Sequence, residues 1–167
     1  MTLAARLQRA IPEIEAAATR GEDHLALRLR IAQSLARLVG YDVACVATLD
    51  PVTVMWTHCA VVGMERDHRL EAALFEAEYR REDVAKMEEV AGRPSPVSIL
   101  SAETRGDLAA SARYRDAFEA AGWTDELRLV LADGSAPWAS VQLLRSGRRR
   151  FDEDEAAALA IVSAPLG

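Results

Sequence analysis

Residues 104–145 read TRGDLAASARYRDAFEAAGWTDELRLVLADGSAPWASVQLLR, and this stretch decides the predicted fold. Over residues 107–121, Leu108 and Ala112 fall at helical spacing. Gly122 follows directly, where a glycine in the left-handed conformation commonly ends a helix. We therefore expect a short helix that carries polar groups and stops at this glycine.

The second half of the stretch predicts a β-hairpin. Leu127, Leu129 and Leu131 alternate with residues that point to the opposite side, as the side chains of a strand do. Asp133-Gly134 supplies the residue types of a tight turn, and residues 138–145 supply the returning strand.

The rest of the chain adds helices and a second hairpin. Residues 23–39 have a broad apolar helical face, and residues 43–49 and 54–62 read as two strands joined at Asp50-Pro51. Helical patterns follow over residues 70–79 and 82–90. Residues 97–100 suit only a short extended segment after Pro94-Ser95-Pro96.

These elements predict an α+β fold with a central antiparallel sheet, helices packed on it and helices at both termini. We expect one domain over residues 1–167: N-terminal helices over about 3–39, a sheet-and-helix core over about 43–145, and a C-terminal helix over about 152–163 with Asp152 as its N-cap.

A narrow apolar seam marks the N-terminal residues. Between Leu3 and Ala18, apolar side chains recur at steps of three and four, with Pro12 as an interruption. The seam either pairs with a second subunit or packs on its own domain.

Several short motifs carry a family resemblance. They are Leu49-Asp50-Pro51-Val52-Thr53, Glu78-Tyr79-x3-Asp83, Ser111-x-Arg-Tyr-Arg, and Gly122-x-x-Asp-Glu-Leu-Arg with the Trp138 hairpin after it. Together they resemble the N-terminal GAF-type sensor domain of bacterial LuxR-type helix-turn-helix transcriptional regulators. The resemblance implies a GAF-like fold of the PAS/GAF type and a sensor or interaction module.

In that family a DNA-binding helix-turn-helix follows the sensor, and residues 1–167 include none. The chain is then either an excised sensor domain or one that stands alone. Its net charge of −6, without a concentrated basic face, argues against DNA binding by these residues themselves.

No signal peptide and no apolar run of about 18 residues stands in the sequence. We therefore expect a cytoplasmic protein with no membrane contact. Cys45 and Cys59, which would oppose each other in a hairpin centred on Val52, are expected to be reduced thiols. They are either core residues or the reactive thiols of a reductase, since some GAF-fold enzymes reduce free methionine sulfoxide with cysteines.

Polar residues crowd the passage from the predicted helix into the strand: Ser111, Arg113, Tyr114, Arg115, Asp125, Glu126 and Arg128. They suit either a structural arginine–carboxylate network or the anchoring of a ligand carboxylate. On the strand over residues 54–62, alternation places Trp56 and His58 on one face, and His58 is either a pocket residue or a hydrogen-bonded strand histidine.

Large aromatic residues fall on the elements that would enclose a cavity between sheet and helices. With the polar residues beside them they give the candidate ligand-binding set: Trp56, His58, Tyr79, Ser111, Tyr114, Trp123, Arg128 and Trp138. We predict no catalytic residues, metal site or cofactor, because no nucleophile elbow, phosphate loop or ligand cluster can be assembled.

Three functions remain open on the sequence. The first is a non-enzymatic small-molecule sensor, homodimeric through its terminal helices, that signals to a separate DNA-binding segment. The second is a ligand-free dimerisation or protein-interaction module of the same fold. The third is a thiol-based reductase that depends on Cys45 and Cys59.

Overall fold

A computed structural model describes residues 23–163, together with the isolated positions 5, 8 and 12. Five strands form one sheet in the order β2-β1-β5-β4-β3, and every neighbouring pair is antiparallel. The strands are β1 (Val43–Leu49), β2 (Trp56–Val62), β3 (Val97–Ile99), β4 (Trp123–Asp133) and β5 (Ala136–Ser146).

Helices connect the strands and cover the sheet. They are α1 (His24–Ala36), α2 (His68–Tyr79), α3 (Met87–Ala91), α4 (Leu100–Glu103), α5 (Glu119–Ala121) and α6 (Glu153–Ser163), with a 3-10 turn at Leu108–Ala110 and a π-helical turn at Tyr114–Phe118. In the described part of the chain, each helix is too short or too polar to cross a bilayer.

The two faces of the sheet have different surroundings. One face, which we call the core face, carries Leu129, Val141 and their neighbours and packs against α1 and α6 in the main apolar core. The other, the cavity face, carries Val43, Arg128 and Leu144 and lies beneath α2 and the segment that leads into β4. The predicted alternation of Leu127, Leu129 and Leu131 on one side is confirmed.

The start of α6 agrees with the prediction. The Glu155 backbone N–H donates to Asp152 Oδ1 at 2.9 Å, and the Asp152 N–H donates back to Glu155 Oε2 at 3.3 Å. This reciprocal pair satisfies backbone donors that a helix start leaves free. Arg145 of β5 also holds Glu155 through two bonds of 2.9 and 2.8 Å, so that α6 is tied to the sheet.

The predicted helix over residues 107–121 is interrupted. The Asp83 carboxylate accepts the backbone N–H groups of Ala112 and Arg113, so a new helical segment starts after Ser111 instead of continuing from the 3-10 turn. Gly122 has φ +75°, which confirms the left-handed helix stop.

The predicted helix over residues 82–90 is also wrong in its first half. The helix α2 ends at Tyr79, and α3 begins only at Met87. Between them the carbonyls of Val84 and Ala85 accept hydrogen bonds from the guanidinium groups of Arg113 and Arg128. These two carbonyls bond to arginine side chains instead of to the backbone N–H groups of a helix. Ala85 also adopts φ +48°, which lies outside the helical region.

A β-bulge corrects the predicted faces of β2. Thr48 pairs with His58, but Leu49 pairs with Trp56, so β2 has one extra residue at this point. Trp56 consequently packs with Leu49 on the cavity face, whereas His58 shares the register of Thr48 on the opposite face. The expectation that Trp56 and His58 share a face was wrong.

The apolar seam over residues 3–18 lies outside the described residues, apart from positions 5, 8 and 12. Its role in pairing, and the single-domain organisation of residues 1–167, stay predictions.

Candidate functional site

A cavity of about 500 Å³ lies between the cavity face of the sheet and α2, and it extends at the edge strand β2 to His58 and to Leu25 and Arg28 of α1. This volume is in the range of about 300–1,000 Å³ that is usual for small-molecule sites. Most of its wall is apolar. The sheet, α2 and the π-helical turn contribute Val43, Cys45, Val61, Trp123, Leu144, Leu70, Leu74, Phe75 and Phe118.

The floor of the cavity is polar and formed by two paired strands. Glu126 and Arg128 are on β4, and Gln142 faces Arg128 from β5. Arg128 Nε donates to Glu126 Oε2 at 2.9 Å, and Arg128 NH1 donates to Glu78 Oε2 at 2.7 Å. Burial lowers the pKa of Arg128, but the two carboxylates outweigh it and raise this pKa above its usual value.

A second buried arginine extends this network behind the floor. Arg113 Nε donates to Glu126 Oε2 at 2.6 Å, and Arg113 NH1 donates to Asp83 Oδ2 at 2.9 Å. Burial raises the pKa of Asp83, yet Arg113 and the backbone N–H donors hold it below its ordinary range. Because each group is 3% exposed or less, the five charges form a closed and fixed unit.

The network settles which of the predicted polar residues act together. Arg113, Glu126 and Arg128 are joined as expected, whereas the exposed Arg115 bonds to the carbonyl of Ala109. Asp125 is fully buried but lies outside this network. Its carboxylate accepts hydrogen bonds from Ser101 and from the Phe151 N–H.

Two buried donors on the cavity wall have no partner in the described structure. They are Nε of Arg28, on α1, and the indole Nε1 of Trp56, at the start of β2. A buried N–H group without an acceptor costs about 1–3 kcal/mol, so nearly all such groups in folded proteins are paired. The wall therefore has two buried donors that are open to acceptors on a bound molecule.

The loop of residues 64–67 leads from β2 to α2 along the cavity. Arg66 Nε pairs with Glu71 Oε1 at 2.6 Å. Asp67 caps α2 by accepting the Arg69 and Leu70 N–H groups, so the start of the helix is fixed beside the wall.

Cys45 and Cys59 also line the cavity, and they form a disulfide with Cα atoms 6.4 Å apart. This corrects the expectation of two reduced thiols. It also corrects their pairing, because Cys45 faces Val61 and Cys59 faces Ala47, which makes the two cysteines diagonal neighbours.

Four of the eight candidate ligand-binding residues border the cavity: Trp56, His58, Trp123 and Arg128. Trp123 stacks edge-on against Phe118 with ring centroids 5.3 Å apart. His58 is exposed, so it borders the space without being enclosed by it.

The other four lie outside the cavity wall. Tyr79 stands behind Trp56, whose backbone N–H donates to the Tyr79 hydroxyl at 2.8 Å, and burial raises the pKa of Tyr79 to about 12. Ser111 bonds to Asp83, Tyr114 packs on the apolar cluster around Phe118, and Trp138 packs against the core on the other side of the sheet. Ligand binding by the eight residues stays a prediction.

The sequence reasoning missed Arg28 and the contributions of Glu78 and Asp83 to the floor. Arg28 is at the spacing of the buried positions Ile31, Ala32 and Leu35, and an arginine on an apolar helix face was a usable signal. The two carboxylates are 50 and 30 residues away in sequence from the arginines they bind, and no local pattern reports such pairs.

Comparisons with known proteins show which solved structures this fold resembles. No protein-family model and no curated protein matches the chain at a significant level. The GAF domain of a phosphoenolpyruvate-protein phosphotransferase from Coxiella burnetii is 12% identical, with a TM-score of 0.62 over 99% of this chain and 92% of that one. The chain has an α+β, GAF-like fold.

Two further structures resemble the GAF-like chain. The N-acylhomoserine lactone dependent LuxR family transcription factor CepR2 from Burkholderia cenocepacia is 18% identical, with a TM-score of 0.58 over 96% of this chain and 91% of that one. The chromophore binding domain of phytochrome P1 from Stigmatella aurantiaca is 10% identical, with a TM-score of 0.51 over 94% and 57%. At these identities the likeness shows the GAF-like fold alone.

Proposed function

We propose that this chain is a sensory domain that binds a small molecule in the cavity between its sheet and α2. The observation that carries the proposal is the pair of buried, unpartnered donors, Arg28 Nε and Trp56 Nε1, on an otherwise mostly apolar wall. Apolar walls with a few placed polar groups are typical of sites for small molecules. The fold likeness to a LuxR family regulator supports the same function.

Signalling would proceed through α1. Leu25 and Arg28 of this helix border the cavity, while Ile31 and Leu35 pack into the core that also holds Leu159 of α6. A ligand that contacts the first turns of α1 binds one arrangement of the terminal helices better than another. Such a difference in affinity shifts the population toward the favoured arrangement.

The output and setting complete the proposal. We infer a bacterial, cytoplasmic regulator of the LuxR type, in which the chain pairs with a second copy through its terminal helices and controls a separate DNA-binding helix-turn-helix segment. The motifs around Glu78, Ser111 and Gly122 support this assignment. The role is one of binding without catalysis.

A cavity-filling variant tests the proposal. Leu74 of α2 lines the cavity, whereas Ala72 on the same helix is exposed. We expect compounds from a metabolite library to raise the melting temperature of the wild type and of Ala72→Trp, because binding to the folded state stabilises it. Leu74→Trp should lose these shifts. Equal shifts in Leu74→Trp would place the binding elsewhere and contradict the proposal.

A further inference from the structure

Three guanidinium groups line the cavity, and carboxylates neutralise two of them. Arg66 pairs with Glu71 at 2.6 Å. Arg128 pairs with Glu126 at 2.9 Å and with Glu78 at 2.7 Å. The wall thus follows a consistent pattern in which an arginine beside this space has its own acidic partner.

Arg28 departs from that pattern. It is 7% exposed, its Nε is buried, and no acidic side chain in the described part of the chain pairs with it. A guanidinium stays charged when it is buried, so its desolvation is not relieved by loss of a proton. Within residues 23–163 no carboxylate forms an ion pair with Arg28, and its Nε has no hydrogen-bond acceptor.

The remaining carboxylates on the wall do not supply that acceptor. Asp67 is engaged at the start of α2 by the N–H groups of Arg69 and Leu70. Glu65 is exposed to solvent. Among the described residues no acceptor remains for Arg28 Nε, and a molecule in the cavity would supply one.

We infer that the cavity takes an apolar carboxylate, with its anionic head on Arg28 and its body against the apolar wall. A planar guanidinium matches a carboxylate through two parallel hydrogen bonds. Leu70, Leu74 and Leu144 offer the complementary surface for an aliphatic or aromatic body. This inference rests on the proposed function and specifies the chemical class of its ligand.

The test uses two probes that share an apolar chain and differ in the head group, decanoate and 1-decanol. Affinities are measured by isothermal titration calorimetry on the wild-type chain and on Arg28→Ala, Arg28→Lys and Arg66→Ala. Arg66 lines the same cavity but its side chain is 61% exposed and paired, so its removal is the matched control. Circular dichroism melting curves establish that each variant is folded.

We expect the wild type and Arg66→Ala to bind decanoate about tenfold or more tightly than 1-decanol, as a charge-assisted hydrogen bond allows. Arg28→Ala should bind the two probes equally, with its affinity for 1-decanol unchanged, and Arg28→Lys should retain part of the preference. A preference for decanoate that survives in Arg28→Ala would overturn the inference.

The two levels of the proposal fail in different ways. Equal binding of both probes by the wild type would overturn the anionic-head inference and leave the small-molecule cavity in place. Binding of neither probe would overturn the inference and also contradict an amphipathic ligand for the sensor.

Discussion

Arg113 and Glu126 are joined by a hydrogen bond of 2.6 Å between Nε and Oε2, and both side chains are 2% exposed. The bond connects the helical segment after Ser111 to β4. The same Glu126 oxygen also accepts from Arg128 Nε at 2.9 Å. One carboxylate therefore serves two buried guanidinium groups, and the cavity floor depends on it.

Replacement of this shared carboxylate should be strongly destabilising. Glu126→Gln keeps the side-chain shape but removes the charge that both arginines face, which predicts a loss of about 3–5 kcal/mol in the free energy of unfolding. Urea denaturation measures it. Glu89→Gln, which removes an exposed partner of Arg93, is the control and should change stability by less than about 1 kcal/mol. A similar small change in Glu126→Gln would contradict the role assigned to the network.

The lowered pKa of Asp83 predicts how the stability of the folded chain depends on pH. Its pKa is held below the ordinary value of 3.8 in the folded chain, so the unfolded chain takes up the proton at a higher pH. The stability that Asp83 contributes is present above about pH 4 and is lost as the pH falls through the lower folded-state pKa. Asp83→Asn should be less stable near neutral pH and should lose less stability than the wild type between about pH 5 and pH 3. Parallel stability curves for the two proteins would contradict this.

Two glycines that directly follow β2 and β5 provide a matched test of backbone strain and close contact. Gly63 and Gly147 both have positive φ, +94° and +82°. A Cβ at Gly63 would lie 2.1 Å from the Asp42 carbonyl oxygen, whereas one at Gly147 would meet nothing within 4 Å. Gly147→Ala should cost about 1–2 kcal/mol from backbone strain alone. Gly63→Ala should cost clearly more in thermal denaturation, and equal losses would show that the contact with Asp42 is relieved.

The disulfide predicts the behaviour of the chain towards reductant. The protein unfolded without reductant should show no thiol that reacts with Ellman's reagent, since both cysteines are bonded to each other. With a sequence separation of 14 residues, reduction should lower the free energy of unfolding by up to about 3 kcal/mol. Cys45→Ser should show the same loss and no further response to reductant. Two reactive thiols in the unreduced protein would contradict the bond.

The parts of the fold that sequence predicted were those with local causes. Alternation of Leu127 to Leu131, the left-handed stop at Gly122 and the N-cap at Asp152 each depend on neighbouring residues, and each was confirmed. The antiparallel sheet with helices packed on it followed from the order of these elements.

The parts that could not be predicted have distant causes. The sequence of the segment between α2 and α3 predicts a helix. Its Val84 and Ala85 carbonyls instead accept hydrogen bonds from Arg113 and Arg128, which are distant in sequence. A single bulged residue in β2 reversed the face of Trp56, since alternation has a period of two residues and one insertion inverts it. The four candidates that miss the cavity are on other elements and have partners elsewhere, such as Tyr79 with the Trp56 backbone and Ser111 with Asp83.

Occupancy of the cavity is tested most directly by native mass spectrometry of the freshly purified chain beside its Leu74→Trp variant. We expect the wild type to carry a reproducible small mass that is released on denaturation, and Leu74→Trp to lack it because the indole fills the space the ligand needs. The same bound mass on both proteins, or no ligand on the wild type even after incubation with a cell extract, would contradict a sensory cavity.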